Sequence, residues 1–497
     1  MNIMLIDVPS RKATIMLPLG LLNVGGIIER CGHKAKIIDA YLVDKERLHV
    51  NFINKMIEDF KPDIVGFGGI ATSYRRTKEL SLHIKDRYPN ILQIAGGPLA
   101  STYELLLTKA RVDVVFHGET EINLPEFLEC LEHGKAFHNV PGISFLSNGE
   151  VVRNNPPEQI KNLDEIPFPA YHLVDLNRYL SSIKDFLAAY SFQLRTPQYA
   201  PIIKKIGDRT KYIPIVTSRG CTHRCLFCYR HDRGHRQHSV NYVIEHIKYL
   251  QKTYGIFGFE FVDELFNRDV MWVMEFCDAI ERENLDIFYM VDGARVDRVD
   301  EKMLHRLKQT GCIEINYGQE SGSDTILREL GKGVTGQQNK EITKLTQQVG
   351  MFTTVPLVIG SPSETNKTID ETIQFLKDTD THVISLNYMI PLPETPIWQY
   401  VMKKKLIADV ERYLDDVAEL GGMPLVNLTS VPDYQWRRWN ERILYEHIKH
   451  YYKTTGRLWL YSLYSVGGKM RMYFGPFIPR STKEKIGRLL RQFNLKI

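Results

Sequence analysis

Thr217-Ser218-Arg219-Gly220-Cys221-Thr222-His223-Arg224-Cys225-Leu226-Phe227-Cys228-Tyr229 places three cysteines within eight residues, just after the apolar run Pro214–Thr217. Thiolates suit zinc and iron–sulfur centres. A structural zinc site needs four ligands, and no CxxC or HxxxH partner follows. His223 lies inside the first cysteine gap, where binding one ion together with both neighbours is awkward. Three thiolates on a [4Fe–4S] cubane leave one iron open to a cofactor or substrate, so the spacing favours an iron–sulfur cluster on Cys221, Cys225 and Cys228 over a Cys3His zinc site.

Outward from this loop, apolar runs alternate with helical stretches. Candidate strands are Pro214–Thr217, Gly258–Val262, Ile287–Val291, Cys312–Tyr317, Thr353–Ile359 and Val383–Met389. Helical patterns at Asn241–Thr253, Val270–Glu283, Asp300–Gln309, Gly336–Val349 and Thr368–Asp378 separate them. Six such units predict a partial (β/α)6 barrel over residues 211–405, whose active site sits at the carboxyl ends of the strands. The cysteines begin just beyond the first strand, on that face.

Residues 1–145 show the same alternation, with strand patterns at Asn2–Asp7, Lys36–Asp39, Asp63–Phe67, Ile91–Ala95 and Asp113–Phe116. This predicts an α/β, doubly wound (Rossmann-like) domain whose ligand lies beyond the carboxyl ends of its strands. Those ends carry Gly66–Gly69, Gly96-Gly97-Pro98 and Gly118, which permit close approach to the backbone. Prolines at 156, 157, 167 and 169 mark residues 146–210 as a linker. Residues 406–497 read as a helical C-terminal domain. From Asp433 onward it holds fourteen Lys and Arg against four Asp and Glu, with Trp436, Arg437, Arg438, Trp439, Tyr451, Tyr452, Trp459 and Tyr461. Those side chains are candidates for a substrate pocket or a membrane-surface contact, or else for a solvated cap with an aromatic core.

A formal charge of +5 on 497 residues does not fit a nucleic-acid binder. No apolar run is long enough to span a membrane, and the N-terminus reads as a strand rather than a signal peptide. Seven unevenly spread cysteines argue against a disulfide framework and for a cytoplasmic setting. Cys31, Cys130, Cys277 and Cys312 read as buried apolar residues.

The CxxxCxΦC pattern after a strand closely resembles the signature of the radical S-adenosylmethionine (SAM) superfamily. The resemblance implies that SAM binds the open iron and is cleaved reductively to a 5′-deoxyadenosyl radical, with an electron donor such as flavodoxin or ferredoxin. It places Phe227 against adenine. Glu264, in Phe261-Val262-Asp263-Glu264, would receive the SAM amine, with a helix N-cap as the competing role for that carboxylate pair. Arg295 would pair with the SAM carboxylate, with a solvated salt bridge as the alternative. Gly318-Gln319-Glu320-Ser321-Gly322-Ser323 resembles the family's G-x-E-S-G-S run, which turns Glu320 and Ser321 toward SAM. Gly360–Thr365 and Pro391–Pro396 resemble two later turns, with Ser363 and Glu394 where the family has glycine.

The first domain and the linker Leu163-Asp164-Glu165-Ile166-Pro167-Phe168-Pro169 resemble the cobalamin-binding radical SAM group. That resemblance implies cobalamin contacts at Gly66, Ser73, Gly96, Gly97, Gly118 and Glu119. The Asp-x-His-x-x-Gly motif is absent, and Leu99 follows Gly96-Gly97-Pro98 where relatives often carry histidine, so a histidine ligand to cobalt is not expected. The implied activity is methyl transfer to an unactivated carbon of a small-molecule or lipid-like substrate. Cyclisation or rearrangement is the alternative within the family, and an iron–sulfur or cobalamin sensor or scaffold is the alternative outside enzymes. A methylthiotransferase would need three further cluster cysteines near the N-terminus, and only Cys31 and Cys130 precede the triad.

Overall fold

The structure is a computed structural model that describes residues 1–8, 16–39, 50–189, 199–209, 211–230, 234–420 and 425–455. The first sheet has the order β2-β1-β3-β4-β5-β6-β7. Its strands are β1 Asn2–Asp7, β2 Lys34–Asp39, β3 Ile64–Gly68, β4 Leu92–Ala95, β5 Val114–Phe116, β6 Ile143–Ser147 and β7 Glu150–Arg153. Strands β1 to β5 are parallel, as their apolar runs require of a sheet covered on both faces. The antiparallel hairpin β6–β7 carries the sheet past residue 145, into the stretch read as linker. Its turn is Asn148-Gly149, with φ of 52° and 83°, the positive pair that a tight hairpin favours.

The second sheet has the order β14-β13-β12-β9-β8, with β8 Ser181–Ser182, β9 Lys211–Ile215, β12 Gly258–Phe261, β13 Phe288–Ala294 and β14 Cys312–Tyr317. Strands β15 Val355–Ile359 and β16 Ile384–Tyr388 continue it through parallel bridges Glu314↔Phe352 and Glu320↔Leu357. The short hairpin of β10 Ser218–Arg219 and β11 Arg236–Gln237 stands over the end of β9. Strands β9 and β12 to β16 form the expected six-stranded partial barrel.

One face of these strands buries Ile213, Ile215, Phe259, Phe261, Tyr289 and Val291 under the surrounding helices. Helix Val270–Arg282 starts where the Asp269 carboxylate accepts the N–H groups of Met271 and Trp272. Helix Gly336–Val349 opens on a Thr335/Gln338 capping box and ends at left-handed Gly350. On the inner face, Phe288, Met290 and Ile313 meet Ile183, Tyr199, Ile202 and Ile206. The linker helices Ile183–Ala189 and Ala200–Ile206 therefore plug the barrel floor.

Helix Val410–Leu420 packs on helix Tyr74–Arg87 of the first domain, where Glu411 accepts from Tyr74 at 2.9 Å and Lys78 at 2.6 Å. Helix Trp439–Thr454 packs on helix Asn366–Asp378. Trp436 and Trp439 are each 1% exposed in that interface. For these two side chains the aromatic-core alternative is the one observed: apolar area is removed from water by docking the cap, and these indoles are its anchors. Arg437 lies over the Trp436 ring at 5.2 Å, and Tyr451 and Tyr452 are half-buried. Trp459 and Tyr461 lie outside the described residues. Among the described residues no helix is long and apolar enough to cross a membrane.

Candidate active site

The segment leading into the cysteine loop is held by one buried carboxylate. Asp263, at the end of β12, accepts the backbone N–H groups of Thr217 at 2.8 Å and Ser218 at 2.6 Å. It also accepts the hydroxyls of Thr217 at 2.7 Å and Ser218 at 3.0 Å. Burial nevertheless raises its pKa to about 6, against those hydrogen bonds. Gly293 of β13 makes room for this turn. It has φ of 71°, and a Cβ there would stand 2.0 Å from the Asp263 carbonyl oxygen. Asp263 is thus the structural member of the carboxylate pair, while the exposed Glu264 lies near enough to Cys221 to act on it electrostatically.

The three thiols gather at this mouth. Burial raises the Cys221 thiol, and the backbone N–H of His223 opposes the rise. The hydrogen bond from Cys228 lowers the Cys225 thiol, with Lys332 and Arg295 adding to the fall. The same hydrogen bond, with burial, raises the Cys228 thiol, and Lys332 pulls all three toward the thiolate that an iron centre needs. Among the described residues no three His, Cys, Asp or Glu side chains converge on one ion. His223 sits beside Arg295, with its imidazole pushed down by burial and that charge.

Glu320 adopts φ of 61°, uncommon for a residue with a side chain. Its buried carboxyl is raised by desolvation and held by Lys332, whose Nζ lies 3.2 Å from Oε1. A Cβ on Gly318 would meet Lys332 Nζ at 2.6 Å, so glycine there admits the pair. The adjacent Ser321 points the other way. Its Oγ meets Thr372 Oγ1 at 3.1 Å and accepts the Ser323 N–H at 3.1 Å. The Ser321 hydroxyl thus fastens the strand end to helix Asn366–Asp378. Arg295 is likewise engaged, with Nε and Nη2 on Asp297 at 2.7 and 2.9 Å and Nη1 on the Lys332 carbonyl at 2.9 Å. The contact with Asp297 is the salt bridge that the sequence offers as the alternative role of Arg295. Phe227 packs with Leu226 against the apolar cluster that holds Val8 and Leu99 of the first domain.

Deeper on the inner barrel face lie Glu260, Asp292 and Glu314, with Tyr212 at their edge. Asn316 donates to Asp292 at 2.8 Å, and Thr354 to Glu314 at 3.1 Å. Burial, with the neighbouring Asp292 and Glu314, raises Glu260 to about 7.

At the carboxyl edge of the first sheet, Gly97 has φ of 68°, and the nearest atom to a Cβ there is the Gly69 carbonyl oxygen at 3.9 Å. A Cβ on Gly96 would meet only Phe116, at 3.6 Å, and one on Gly118 only Pro157, at 3.5 Å. Adjacent strands thus end on open backbone, near exposed Ile70, which follows Gly69. Three further residues expected at the corrin are packed or hydrogen-bonded within the protein. Gly66 is inside β3, where a Cβ would meet Leu5 at 2.8 Å. Buried Ser73 donates to the Val8 carbonyl at 2.8 Å. Glu119 is 3% exposed, and its carboxylate is filled by Arg219, Arg236 and the Ile160 N–H. Burial alone would raise the Glu119 carboxyl, but the two arginines hold it below the usual range.

Residues 215–376 match the radical SAM superfamily, and residues 11–128 match the B12 binding domain. An uncharacterised methyltransferase of Pyrococcus horikoshii is 30% identical over 419 residues, covering 82% of this chain and 84% of that one. The chain belongs to the cobalamin-binding radical SAM enzymes. Among other relatives of this cobalamin-binding radical SAM enzyme, the anaerobic magnesium-protoporphyrin IX monomethyl ester cyclase of a Synechocystis species is 24% identical over 403 residues, 78% of this chain and 74% of the other. The radical SAM methyltransferase TsrM of Kitasatospora setae, solved with cobalamin and a [4Fe–4S] cluster, shares the fold. Its TM-score is 0.64 at 17% identity, over 81% of this chain and 78% of that one.

The cofactors of a cobalamin-binding radical SAM enzyme are the [4Fe–4S] cluster, SAM and cobalamin, and the residues present suit all three. Cys221, Cys225 and Cys228 would hold the cluster. Glu264, Glu320 and Lys332 ring the space beside it, where the amine and carboxylate of SAM require opposite charges. The Gly96-Gly97 and Gly118 backbone would offer an open approach to a corrin. Leu99, expected to offer no ligand to cobalt, is fully buried in the core of the first domain. Lys332 was absent from the sequence reading. Its only local signal is a lysine between two glycines, Gly331 and Gly333, with φ of 69° and 66°.

Proposed function

We propose that the chain methylates an unactivated carbon of a small-molecule substrate, using SAM, the cluster and cobalamin. The observation that carries this reading is the link between the two strand-end regions. Glu119, next to Gly118 just beyond β5 of the first domain, accepts from Arg219 and Arg236 at the two stems of the cysteine loop. A substrate in the barrel would then lie between the two cofactor sites. When bound, the cofactors supply radical generation and the methyl group. The chain's own residues hold them and exclude water: Asp263 shapes the cysteine loop, the Lys332–Glu320 pair sets charge at the mouth, and the linker helices seal the floor.

Glu260, Asp292, Asn316 and Tyr212 on the inner face support a small, hydrogen-bonding substrate over a lipid-like one, and two of the aromatics that suggested a lipid, Trp436 and Trp439, are buried under the cap. Cyclisation is the second reading, favoured by the cyclase relative. To test the proposal, reconstituted enzyme is incubated anaerobically with reductant, cobalamin, methyl-labelled SAM and metabolite extract from a deletion strain. The expected result is 5′-deoxyadenosine together with a metabolite carrying the label. Consumption of a metabolite with 5′-deoxyadenosine formed but no label incorporated would support the cyclase reading instead.

A further inference from the structure

Both stems of the cysteine loop hang from one carboxylate of the other domain. Glu119 follows Gly118 in the turn after β5. Its Oε1 accepts from Arg219 Nη1 at 2.9 Å, and its Oε2 accepts from Arg236 Nη1 at 2.7 Å and the Ile160 N–H at 3.0 Å. Arg219 and Arg236 are register partners in the β10–β11 hairpin. The first stands just before Gly220-Cys221, and the second follows the loop on its return. Glu121 takes the other arm of Arg219 at 2.5 Å. The Glu119 and Glu121 side chains are 1% and 6% exposed, and the two arginines 16% and 15%.

Exposed ion pairs tolerate sliding and contribute little. A buried, forked network is different, because its desolvation is offset only when the geometry is kept. Two other ion pairs that join the first domain to the barrel and the cap, Arg153–Glu394 and Lys78–Glu411, are more exposed, at 43% and 33% and at 25% and 27%, and apolar contact is non-directional: it fixes closeness, not register. A reaction staged between cofactors on two domains needs register, since a displacement of about 1 Å can cost about 100-fold in rate. Gly118, beside Glu119, belongs to the open glycine edge, so the network links the corrin-facing turn to the cluster loop over a few residues.

We propose that Glu119 is a positioning residue that sets the distance and orientation of the cysteine loop relative to the corrin-facing edge. This rests on the cobalamin-binding reading of the first domain. The test uses full-length enzyme loaded anaerobically with cluster and cobalamin, with iron and corrin per chain measured first. The cluster is then reduced with cobalt in the Co(II) state, and pulsed electron paramagnetic resonance reads the dipolar coupling between the two spins. The wild type is expected to give one narrow distance distribution. Glu119→Gln is expected to keep both cofactors at wild-type occupancy, yet to give a distribution at least twofold broader. A network that merely added stability would lower the unfolding midpoint without broadening it, and an unchanged distribution overturns the proposal. If Glu119→Gln does not fold, Arg236→Lys, which keeps the charge but drops the fork, decides by the same readout. Wild-type protein that takes up iron but no corrin overturns the reading of the first domain, and this proposal with it. Full loading with no effect of Glu119→Gln overturns this proposal alone.

Discussion

Lys332 Nζ stands 3.2 Å from Glu320 Oε1, with the two side chains only 11% and 10% exposed, at the mouth where the three cysteines gather. Removing one partner of a buried pair leaves the other charge uncompensated. Lys332→Met should therefore lower stability by about 3–5 kcal/mol in urea unfolding. Lys332→Arg, which keeps the charge, should restore most of it. A Lys332→Met protein as stable as wild type would mean that Glu320 has another partner or is neutral.

The two glycine classes in the first domain should separate cleanly. Gly97→Ala meets open space but keeps a left-handed φ, so it should cost about 1–2 kcal/mol and also weaken cobalamin retention. Gly66→Ala pushes a methyl group toward Leu5, costing about 1–3 kcal/mol by overpacking, and should leave corrin absorbance per folded chain unchanged. Equilibrium unfolding and visible spectra of the loaded proteins check both. Equal corrin loss in the two variants would contradict the assigned edge.

Asp263 accepts four hydrogen bonds from Thr217 and Ser218. Asp263→Asn turns an amide donor toward some of these donors. It should cost about 2–4 kcal/mol, from weakened charge-assisted bonds and an unsatisfied group. Iron bound per chain after anaerobic reconstitution should fall with it. Full iron loading would mean that the loop is shaped without this carboxylate.

The inner barrel carboxylates predict a pH effect of definite sign. Glu260 holds its proton to about pH 7, whereas the unfolded chain releases it near 4.5. Between those values the unfolded state binds fewer protons, so this group makes stability fall as pH rises through that window. Glu260→Gln should match wild type near pH 4 and exceed it by about 1–3 kcal/mol at pH 8. Denaturant unfolding across this range measures it, and a constant difference would contradict the buried-acid environment.

What the sequence discloses follows from how local each signal is. The cysteine loop sits within a dozen residues, and the strand runs carry their own periodicity, so both were legible. The β6–β7 hairpin was missed despite its Asn148-Gly149 turn, because the prolines that follow drew the whole stretch into a linker. Residues whose roles depend on distant partners were not legible. Glu119 meets Arg219 and Arg236 about a hundred positions away, and Lys332 meets Glu320 only after the helix between them folds back. Ser321 looked equivalent to its neighbour, yet the two side chains diverge at the left-handed backbone of Glu320. For Trp436 and Trp439 the sequence leaves a pocket, a surface contact and an aromatic core all open, because composition cannot say which helix face is covered.

Iron and sulfide analysis of anaerobically reconstituted protein tests the central claim most directly, alongside the variant with Cys221, Cys225 and Cys228 all changed to alanine. The account predicts about four iron and four sulfide per wild-type chain, 5′-deoxyadenosine on adding SAM and reductant, and loss of both in the variant. One zinc per chain with no sulfide, or 5′-deoxyadenosine formation that survives the triple change, would contradict it.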